Sequence, residues 1–352
     1  MNTTIRLSIS LAMLLAGTGI RADDAATYGT RDDLLPGGAG MAIKGNTLFT
    51  TVGAESFAKA KRLAAINIAD PAAPKVVSAV ELKGFPQDLA LSGNLAYVVD
   101  GLRLCVIDIA DPAAMRIVSE TALADTPEYG PQGIVLDGND AYLACRRQGV
   151  VKVNVAKPEA PVIGAVVPTP FSRGVALVKT DGKTVLISAD DTRGLTVIQD
   201  GRIVASQPLK QGCAARVRID GDLVFVANGG SMLSVFKIAP DGRLAPVAEF
   251  PTPPGGVYYG SYAYDVLPFG MRAVVAAGEN GLLTIDLTDA AKPVCVGASK
   301  VPMSPLVRGV VRHGDQLFVN GGTMDGRTLL FVMDATAPAD HNSIGEPLNL
   351  SE

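Results

Sequence analysis

The octamer IADPAAPK spans Ile68–Lys75, and the nearly identical IADPAAMR spans Ile109–Arg116, 41 residues later (68 to 109). The Asp-Pro pair inside each octamer suits the end of a β-strand, because proline has no N–H to offer a neighbouring strand and its ring fixes φ. The Asp side chain can also accept a hydrogen bond from the backbone close by and so form a turn. We therefore predict that Asp70-Pro71 and Asp111-Pro112 each turn one strand into the next.

The sequence around the octamers alternates apolar and polar residues between turns rich in Gly, Asn, Asp and Pro, which is typical of short strands joined by hairpins. A first strand of this pattern begins near Gly40, Asp88, Gly133, Gly174, Arg216, Asp265 and Gly309. A third strand begins at Arg62, Gly101, Gly149, Gly194, Met232, Gly281 and Thr328. A repeat of roughly 40–50 residues with four strands has the size of a propeller blade. We predict an all-β, seven-bladed β-propeller with four antiparallel strands per blade, as a single domain over residues 37–350.

The third strand followed by an Asp-rich turn, as in CVIDIADPAA from Cys105 and LTIDLTDAAKP from Leu283, resembles the LVIVD-repeat family. That resemblance implies an exported or surface β-propeller and covers the chain after its first segment. Blades four and five depart from the pattern, because VIQDGRIV and KIAPDGRLAP replace the Asp-Pro turn with Asp-Gly turns. The family supplies no catalytic motif that can be carried onto this chain.

The first segment has the features of a signal peptide. Leu7–Ile20 is mostly apolar and too short to span a bilayer comfortably, and Ala22 precedes Asp23-Asp24. We predict cleavage after Ala22, a lead-in segment over residues 23–36, and a mature protein that is periplasmic or secreted, with no transmembrane segment after cleavage. Thr18 stands where a lipoprotein would have Cys, so no lipid anchor is expected.

Charge and cysteine content restrict the function classes. The net charge of −4 argues against nucleic acid as a partner, because nucleic-acid binding needs a basic surface. The four cysteines, Cys105, Cys145, Cys213 and Cys295, form no C-x-x-C pair, and sequence leaves three disulfide pairings open. We expect buried free thiols.

The loops that lead into the inner strands converge on one face of a propeller, where we place the candidate site. The ligand-binding candidates are Gln87, Gln132, Arg173, Arg216, Tyr262, Tyr264 and Arg308. Arginines that face one axis repel each other unless an anion or a carboxylate lies between them. The pattern therefore predicts a small anionic ligand, such as a carboxylate or a phosphate. The competing interpretation is that these polar residues only line a wet channel.

The longest insertion, Pro251–Asp265, carries Tyr258, Tyr259, Tyr262 and Tyr264. Clustered tyrosines are typical of recognition surfaces, because each ring offers contact area and a hydroxyl at low entropic cost. The insertion is predicted either to bind a ligand or to pack as a lid over the channel.

The sequence contains few of the motifs that indicate catalysis. The chain has two histidines, His313 and His341, no G-x-S-x-G motif, no Trp and no metal-ligand spacing, so no cofactor and no metal are expected. A hydrolase or lyase remains the alternative, with Asp190 or Asp191 as base, Tyr264 as acid and arginines holding an anion. We favour a binding scaffold for a small anionic ligand or another exported protein, and leave open whether the protein is an enzyme.

Overall fold

The chain repeats one four-stranded antiparallel sheet seven times. The computed structural model describes residues 39–53, 60–229, 232–250, 262–301, 306–323, 325–336 and 346–351. The predicted signal peptide (1–22) and lead-in segment (23–36) lie outside these residues. The seven sheets confirm the predicted fold class and strand count.

The blades follow the chain in order. Blade 1 contains β1 (Met41–Lys44), β2 (Thr47–Val52), β3 (Arg62–Asn67) and β4 (Lys75–Glu81), and blade 2 contains β5 (Asp88–Ser92), β6 (Leu95–Val99), β7 (Arg103–Asp108) and β8 (Arg116–Ala122). Blade 3 contains β9 (Gly133–Asp137), β10 (Asp140–Cys145), β11 (Gly149–Asn154) and β12 (Val162–Val167), and blade 4 contains β13 (Gly174–Thr180), β14 (Lys183–Ala189), β15 (Leu195–Gln199) and β16 (Arg202–Gln207). Blade 5 contains β17 (Ala214–Asp220), β18 (Leu223–Asn228), β19 (Met232–Ile238) and β20 (Leu244–Phe250), and blade 6 contains β21 (Asp265–Phe269), β22 (Arg272–Ala276), β23 (Leu282–Asp286) and β24 (Val294–Ser299). Blade 7 contains β25 (Leu306–His313), β26 (Gln316–Gly322), β27 (Thr328–Asp334) and β28 (Leu348–Asn349), and a 3₁₀ turn, Pro127–Tyr129, lies between blades 2 and 3.

The first strand of each blade faces the centre of the ring. Each first strand contacts the first strands of the two adjacent blades, and the series closes between β25 and β1. The fourth strands are therefore outermost. The loops before the first strands and those between second and third strands share one face, as predicted.

The core lies between the blades. Val106 packs with Ala141 and Leu143 of the next blade, whereas Ile107 packs with Phe49 of the preceding one. Both faces of the middle strands are thus covered, which is why β6, β7, β10 and β11 are apolar almost throughout. This burial, at about 25 cal/mol per Å² of apolar surface, is the main force that holds blade to blade.

The repeated octamer forms the predicted turn. Asp70 Oδ1 accepts a hydrogen bond from Ala72 N at 3.0 Å, and Asp111 Oδ1 accepts one from Ala113 N at 2.9 Å. Blade 4, which lacks Asp-Pro, turns instead through Asp200-Gly201, both with positive φ (51° and 71°). That two-residue turn is the tight alternative for an antiparallel hairpin.

Blades 1 and 7 meet at a seam that closes the ring. Asn320 Nδ2 donates to Thr50 Oγ1 at 2.9 Å and to the Thr51 carbonyl at 3.0 Å. Phe318 and Leu48 belong to one apolar cluster at this seam. Every blade consists of four strands consecutive in the chain, so the seam depends on side chains rather than on a shared sheet.

The four cysteines are free. Cys105 and Cys145 are buried, and burial raises the pKa of both thiols. Cys213 is partly buried, and Cys295 on β24 is exposed, so the expectation of burial is wrong for Cys295. Among the described residues, no helix has the length and apolar character needed to cross a membrane.

Candidate functional site

The inner strands bring corresponding residues of all seven blades together in two stacked rings. We call the lower ring seven residues at or near the start of the first strands, each opposite the end of its blade's second strand: Gly40, Asp88, Gly133, Gly174, Arg216, Asp265 and Gly309. The upper ring is formed by the residue before each of them: Ala39, Gln87, Gln132, Arg173, Ala215, Tyr264 and Arg308. Of the seven predicted ligand-binding residues, five lie in the upper ring and Arg216 lies in the lower ring, whereas Tyr262 precedes Tyr264 by two residues and belongs to neither.

The lower ring is tight. A Cβ at Gly40 would lie 2.6 Å from Leu89 N, and one at Gly309 would lie 2.8 Å from the Ala39 carbonyl oxygen. Four of the seven positions are glycine, and the closest strand contacts permit nothing larger. The side chains of Asp88, Arg216 and Asp265 fill the space that remains.

Arg216 joins three blades across the channel. Its Nη2 donates to Asp88 Oδ1 at 2.5 Å, and its Nε lies 3.4 Å from Asp265 Oδ1. Burial alone would lower the pKa of Arg216, but the two carboxylates hold that pKa above its usual value. The carboxylates that the sequence argument required near this arginine are therefore part of the protein itself.

The two carboxylates also join neighbouring blades. Asp88 Oδ2 accepts a hydrogen bond from Ile134 N of blade 3 at 3.1 Å. Asp265 Oδ2 accepts one from Val310 N of blade 7 at 3.5 Å and pairs with Arg218 at 3.2 Å. From the sequence, Asp88 and Asp265 were predicted only to start strands. No local spacing predicts a pair such as Arg216 with Asp88, which are 128 residues apart.

Two arginines and two tyrosines form a continuous row, which we call the arginine–tyrosine row. Arg173 Nη1 lies 3.4 Å from the Tyr262 hydroxyl and donates to it, and the guanidinium stands 5.9 Å from the centre of that ring. The rings of Tyr262 and Tyr264 are 5.2 Å apart, and the Arg308 guanidinium stands 5.7 Å from the Tyr264 ring. All four side chains are buried. The structure brings these four predicted residues together, whereas Tyr258 and Tyr259 lie outside the described residues.

One end of the row carries a carboxylate and a thiol. Asp191 Oδ2 lies 3.5 Å from Arg173 Nη1, and Cys213 Sγ lies 2.9 Å from the Tyr262 hydroxyl. Burial raises the pKa of Tyr262 well above its usual value, although Arg173 opposes the rise. Burial, together with the Asp191 carboxylate, raises the pKa of Cys213 to about 11. With both pKa values raised, the tyrosine and the thiol are uncharged at neutral pH.

Asp190, the other catalytic candidate, holds a loop in place. Its Oδ1 accepts hydrogen bonds from Thr169 Oγ1 at 2.8 Å and from Ser188 Oγ at 2.7 Å. Burial raises its pKa, and the hydrogen bonds from neighbouring hydroxyls partly oppose that rise. Asp100 in blade 2 and Asn228 in blade 5 occupy the corresponding position and accept hydrogen bonds from Gly84 N and Cys213 N. In each case the side chain fixes the loop before the first strand of its own blade.

Arg146 and Asp191 adopt a backbone conformation that favours glycine. Their φ values are 39° and 52°, and blades 2 and 6 have Gly101 and Gly278 at the corresponding position, with φ of 78° and 54°. Arg146, Asp191 and Gly278 each bridge to the start of the next blade: Arg146 to Ser172 just before β13, Asp191 to Ala214 of β17 and Gly278 to Val307 of β25. Non-glycine residues held in this region are strained, and such strain is found preferentially at functional sites.

Two glutamines belong to the upper ring, and Arg146 contacts one of them. Gln132, with its amide oriented to accept, takes hydrogen bonds from Arg146 Nη2 at 2.8 Å and Nε at 3.3 Å. Gln87 Nε2 donates to the Phe85 carbonyl of its own loop at 3.2 Å. The contact with Gln132, the positive φ and the bridge to Ser172 distinguish Arg146 from its exposed neighbour Arg147.

The described residues form no metal-ligand cluster, and a groove that contains two lysines lies away from the two rings. No three His, Cys, Asp or Glu side chains among those residues stand close enough to share a metal ion. A shallow groove of about 450 Å³ lies on the opposite face between blades 4 and 5 and includes Lys179 and Lys237. Each lysine is already paired, with Asp137 at 2.5 Å and Asp222 at 2.9 Å respectively, which leaves little charge to attract a ligand.

Comparison with known proteins agrees with this architecture. The family model described as LVIVD repeat matches residues 83–122, which contain blade 2. The match and the seven-bladed ring are together consistent with an LVIVD-repeat propeller family. A search of curated proteins found no match.

Solved structures share the fold at low identity. A hypothetical selenium-binding protein from Sulfolobus tokodaii is 12% identical with a TM-score of 0.67, over 90% of this chain and 91% of that one. KlAtg21, solved with the coiled coil of AgAtg16, is 12% identical with a TM-score of 0.60, over 89% and 99%. The computationally designed protein Ika8 is 8% identical with a TM-score of 0.56, over 89% and 87%. At such identities the likeness concerns the fold alone.

Proposed function

We propose that the protein is a binding scaffold whose upper ring recognises a small ligand through an anionic group. The observation that carries this proposal is the arginine–tyrosine row, in which Arg173 and Arg308 flank two tyrosine rings. Guanidinium groups bind carboxylate and phosphate in a planar, two-point geometry, and they do so most strongly away from bulk water. A row this deeply buried favours a small molecule over a broad protein surface.

An enzymatic role is the weaker candidate. Asp190 already accepts two hydroxyl hydrogen bonds and anchors a loop, as do its counterparts in blades 2 and 5. Asp191 is paired with Arg173 through one of its two oxygens. A general base needs access to the proton that it removes, and Asp190 is committed to its loop while one Asp191 oxygen is committed to Arg173, so a catalytic role would rest on the other Asp191 oxygen.

The test is a binding screen with arginine variants. Parent protein is screened by thermal shift and then calorimetry against small carboxylates and phosphates, followed by Arg173→Gln and Arg308→Gln. We expect each variant to bind the best anion at least tenfold more weakly, because a hydrogen bond to a charged group contributes about 1.5–3 kcal/mol. Arg308→Lys keeps the charge and separates lost recognition from lost folding.

Arg243→Gln is the matched control, because Arg243 is exposed and pairs with Asp241 in the turn between β19 and β20. It should bind like the parent. Equal affinity of parent, Arg173→Gln and Arg308→Gln for every anion would overturn the proposal.

We further propose that the protein acts in the periplasm or is secreted. The support is the apolar stretch Leu7–Ile20, followed by Ala22 and two aspartates. Fractionation of expressing cells should place the protein outside the cytoplasm, and N-terminal sequencing of the mature form should begin at Asp23. Recovery of cytoplasmic protein that retains residues 1–22 would contradict this proposal.

A further inference from the structure

Resting on the proposed function, we infer that the ligand is a zwitterion, whose anionic group binds the arginines of the row and whose ammonium group binds Asp191. The inference concerns chemical class: an amino acid or an aminoalkyl phosphate rather than a simple anion.

The Asp191 carboxylate has unused capacity to accept hydrogen bonds. The residue is 4% exposed, and apart from the interaction of its carboxylate with the Cys213 thiol, a weak donor, its Oδ1 makes no hydrogen bond with any described residue. Its other oxygen lies 3.5 Å from Arg173 Nη1. A buried carboxylate oxygen without a donor is costly, and a ligand ammonium group would supply both the donor and an opposite charge.

Asp191 also keeps a strained backbone. Its φ of 52° lies where blades 1, 2 and 6 have Gly53, Gly101 and Gly278. Glycine adopts this conformation without a steric penalty, whereas aspartate tolerates it at a cost, as it does at Asp181 and Asp200 in hairpin turns. Asp191 differs from those two because its carboxylate is buried beside Arg173.

The neighbouring tyrosines suit a cation as well. The faces of Tyr262 and Tyr264 already stand against the guanidinium groups of Arg173 and Arg308. Aromatic faces attract ammonium groups by the same electrostatics. Asp191 therefore provides a cation-binding half, and Arg173 provides an anion-binding half directly beside it.

The adjacency of these halves sets the ligand chemistry. Because Asp191 and Arg173 are in contact, the two charges of a ligand that binds both must lie within a few bonds of each other. A ligand with negative charge alone would meet repulsion from Asp191, whereas a zwitterion would complement both groups.

Two matched probe pairs test the inference by calorimetry: glutamate against glutarate, and phosphoethanolamine against ethyl phosphate. Within each pair the probes differ mainly in the ammonium group. We expect the parent to bind the ammonium-bearing member of at least one pair at least tenfold more tightly. Asp191→Asn should remove this preference by weakening the zwitterion, while the simple anion binds as before or more tightly.

Asp241→Asn is the matched control, since Asp241 is exposed and lies in the turn between β19 and β20, away from the upper ring. This variant should keep the preference for the ammonium-bearing probe. Asp191→Gly removes the same carboxylate on a relaxed backbone and decides the outcome where Asp191→Asn does not fold. Equal binding within both pairs, or a preference that survives loss of the carboxylate, overturns the zwitterion inference and leaves anion binding intact. If no anion in the wider screen binds either, the proposed function fails with it.

Discussion

Arg216 is the residue on which the centre of the ring depends. Its guanidinium reaches Asp88 of blade 2 and Asp265 of blade 6 from blade 5, and all three side chains are buried. A buried ion pair adds little net stability by itself, but removal of one partner leaves the other charge without compensation. The main role of Arg216 is therefore to compensate the buried charges of Asp88 and Asp265, rather than to add net stability through the ion pairs.

We predict that Arg216→Gln destabilises the protein by about 3–5 kcal/mol, because Asp88 and Asp265 would stay buried without their shared cation. Urea unfolding followed by circular dichroism measures this change. Arg243→Gln, an exposed pair on a turn, should change stability by less than about 0.5 kcal/mol. A loss below about 1 kcal/mol for Arg216→Gln would mean that the carboxylates do not need it.

Asp190 predicts a pH dependence with a defined sign. Burial raises its pKa in the folded protein above the ordinary value of 3.8, so the folded state binds a proton more readily than the unfolded state. The stabilisation linked to this proton is complete below about pH 3.8 and is lost as pH rises through the folded-state pKa. Asp190→Asn does not titrate and should therefore gain stability relative to the parent across that window.

The size of this gain is about 1.4 kcal/mol for each unit by which the pKa is raised. The unfolding free energies of the parent and of Asp190→Asn, measured from about pH 3.5 to about pH 7, give this comparison directly. Asn228 shows that an amide fits the corresponding position in blade 5. Asp241→Asn should not gain, because the bond with Arg243 lowers the pKa of Asp241. A constant difference between Asp190→Asn and parent would show that Asp190 does not titrate in this range.

At the scale of elements, the hairpin between the second and third strands has one demanding position. Blades 1, 2 and 6 fill it with glycine, whereas blades 3 and 4 fill it with Arg146 and Asp191 at positive φ. The hairpins that carry the two strained residues also border Gln132 and Arg173 of the upper ring. Local strain and the candidate site therefore coincide on blades 3 and 4.

We predict that Asp191→Gly is more stable than Asp191→Ala by about 1 kcal/mol. Both variants lose the pairing with Arg173, but only glycine adopts the left-handed conformation without a steric penalty. Thermal unfolding of the two variants side by side isolates the backbone effect from the ion pair. Equal stability would show that the turn relaxes around the alanine side chain.

The elements were accessible to sequence reasoning because each carries its own local signal. The Asp-Pro octamers mark the third-to-fourth strand turn through a contact only two residues long, Asp111 to Ala113. Small errors follow from the same local physics: the third strand of blade 2 begins at Arg103 rather than Gly101, because Gly101 has a φ of 78° and belongs to the turn.

The site was only partly accessible. The upper-ring positions of Gln87, Gln132, Arg173 and Tyr264 could be predicted because each stands just before a first strand, and that of Arg308 because it lies near the start of one. The contacts across the ring could not be predicted, because pairs such as Arg216 with Asp88 form only once the ring has closed. The loop-anchoring role of Asp190 was equally hidden, although its alignment with Asp100 and Asn228 at the ends of second strands is visible once the blades are superposed.

For the whole molecule, the seam between blades 1 and 7 is the point of closure. Asn320 donates two hydrogen bonds to Thr50 and Thr51, and the apolar cluster around Phe318 covers them. We predict that Asn320→Ala destabilises the protein by about 1–3 kcal/mol, because buried acceptors lose their donor. Asn154→Ala, at an exposed site within blade 3, serves as the control and should lie within about 0.5 kcal/mol of the parent in the same urea titration. If both variants changed the unfolding free energy by a similarly small amount, apolar contacts alone would account for the stability of the seam.

The seam has a kinetic consequence. Because each sheet is built from four strands adjacent in the chain, most pairing joins near neighbours, and contact formation of this kind is fast. The hydrogen bond between Arg62 and Ser351 joins residues 289 apart, and that between Asn320 and Thr50 joins residues 270 apart. A chain that emerges from its amino end can complete blade after blade as it appears, and only the meeting of the last blade with the first must wait. We expect the slowest folding step to be this annular closure, with the earlier blades already formed in an open arc.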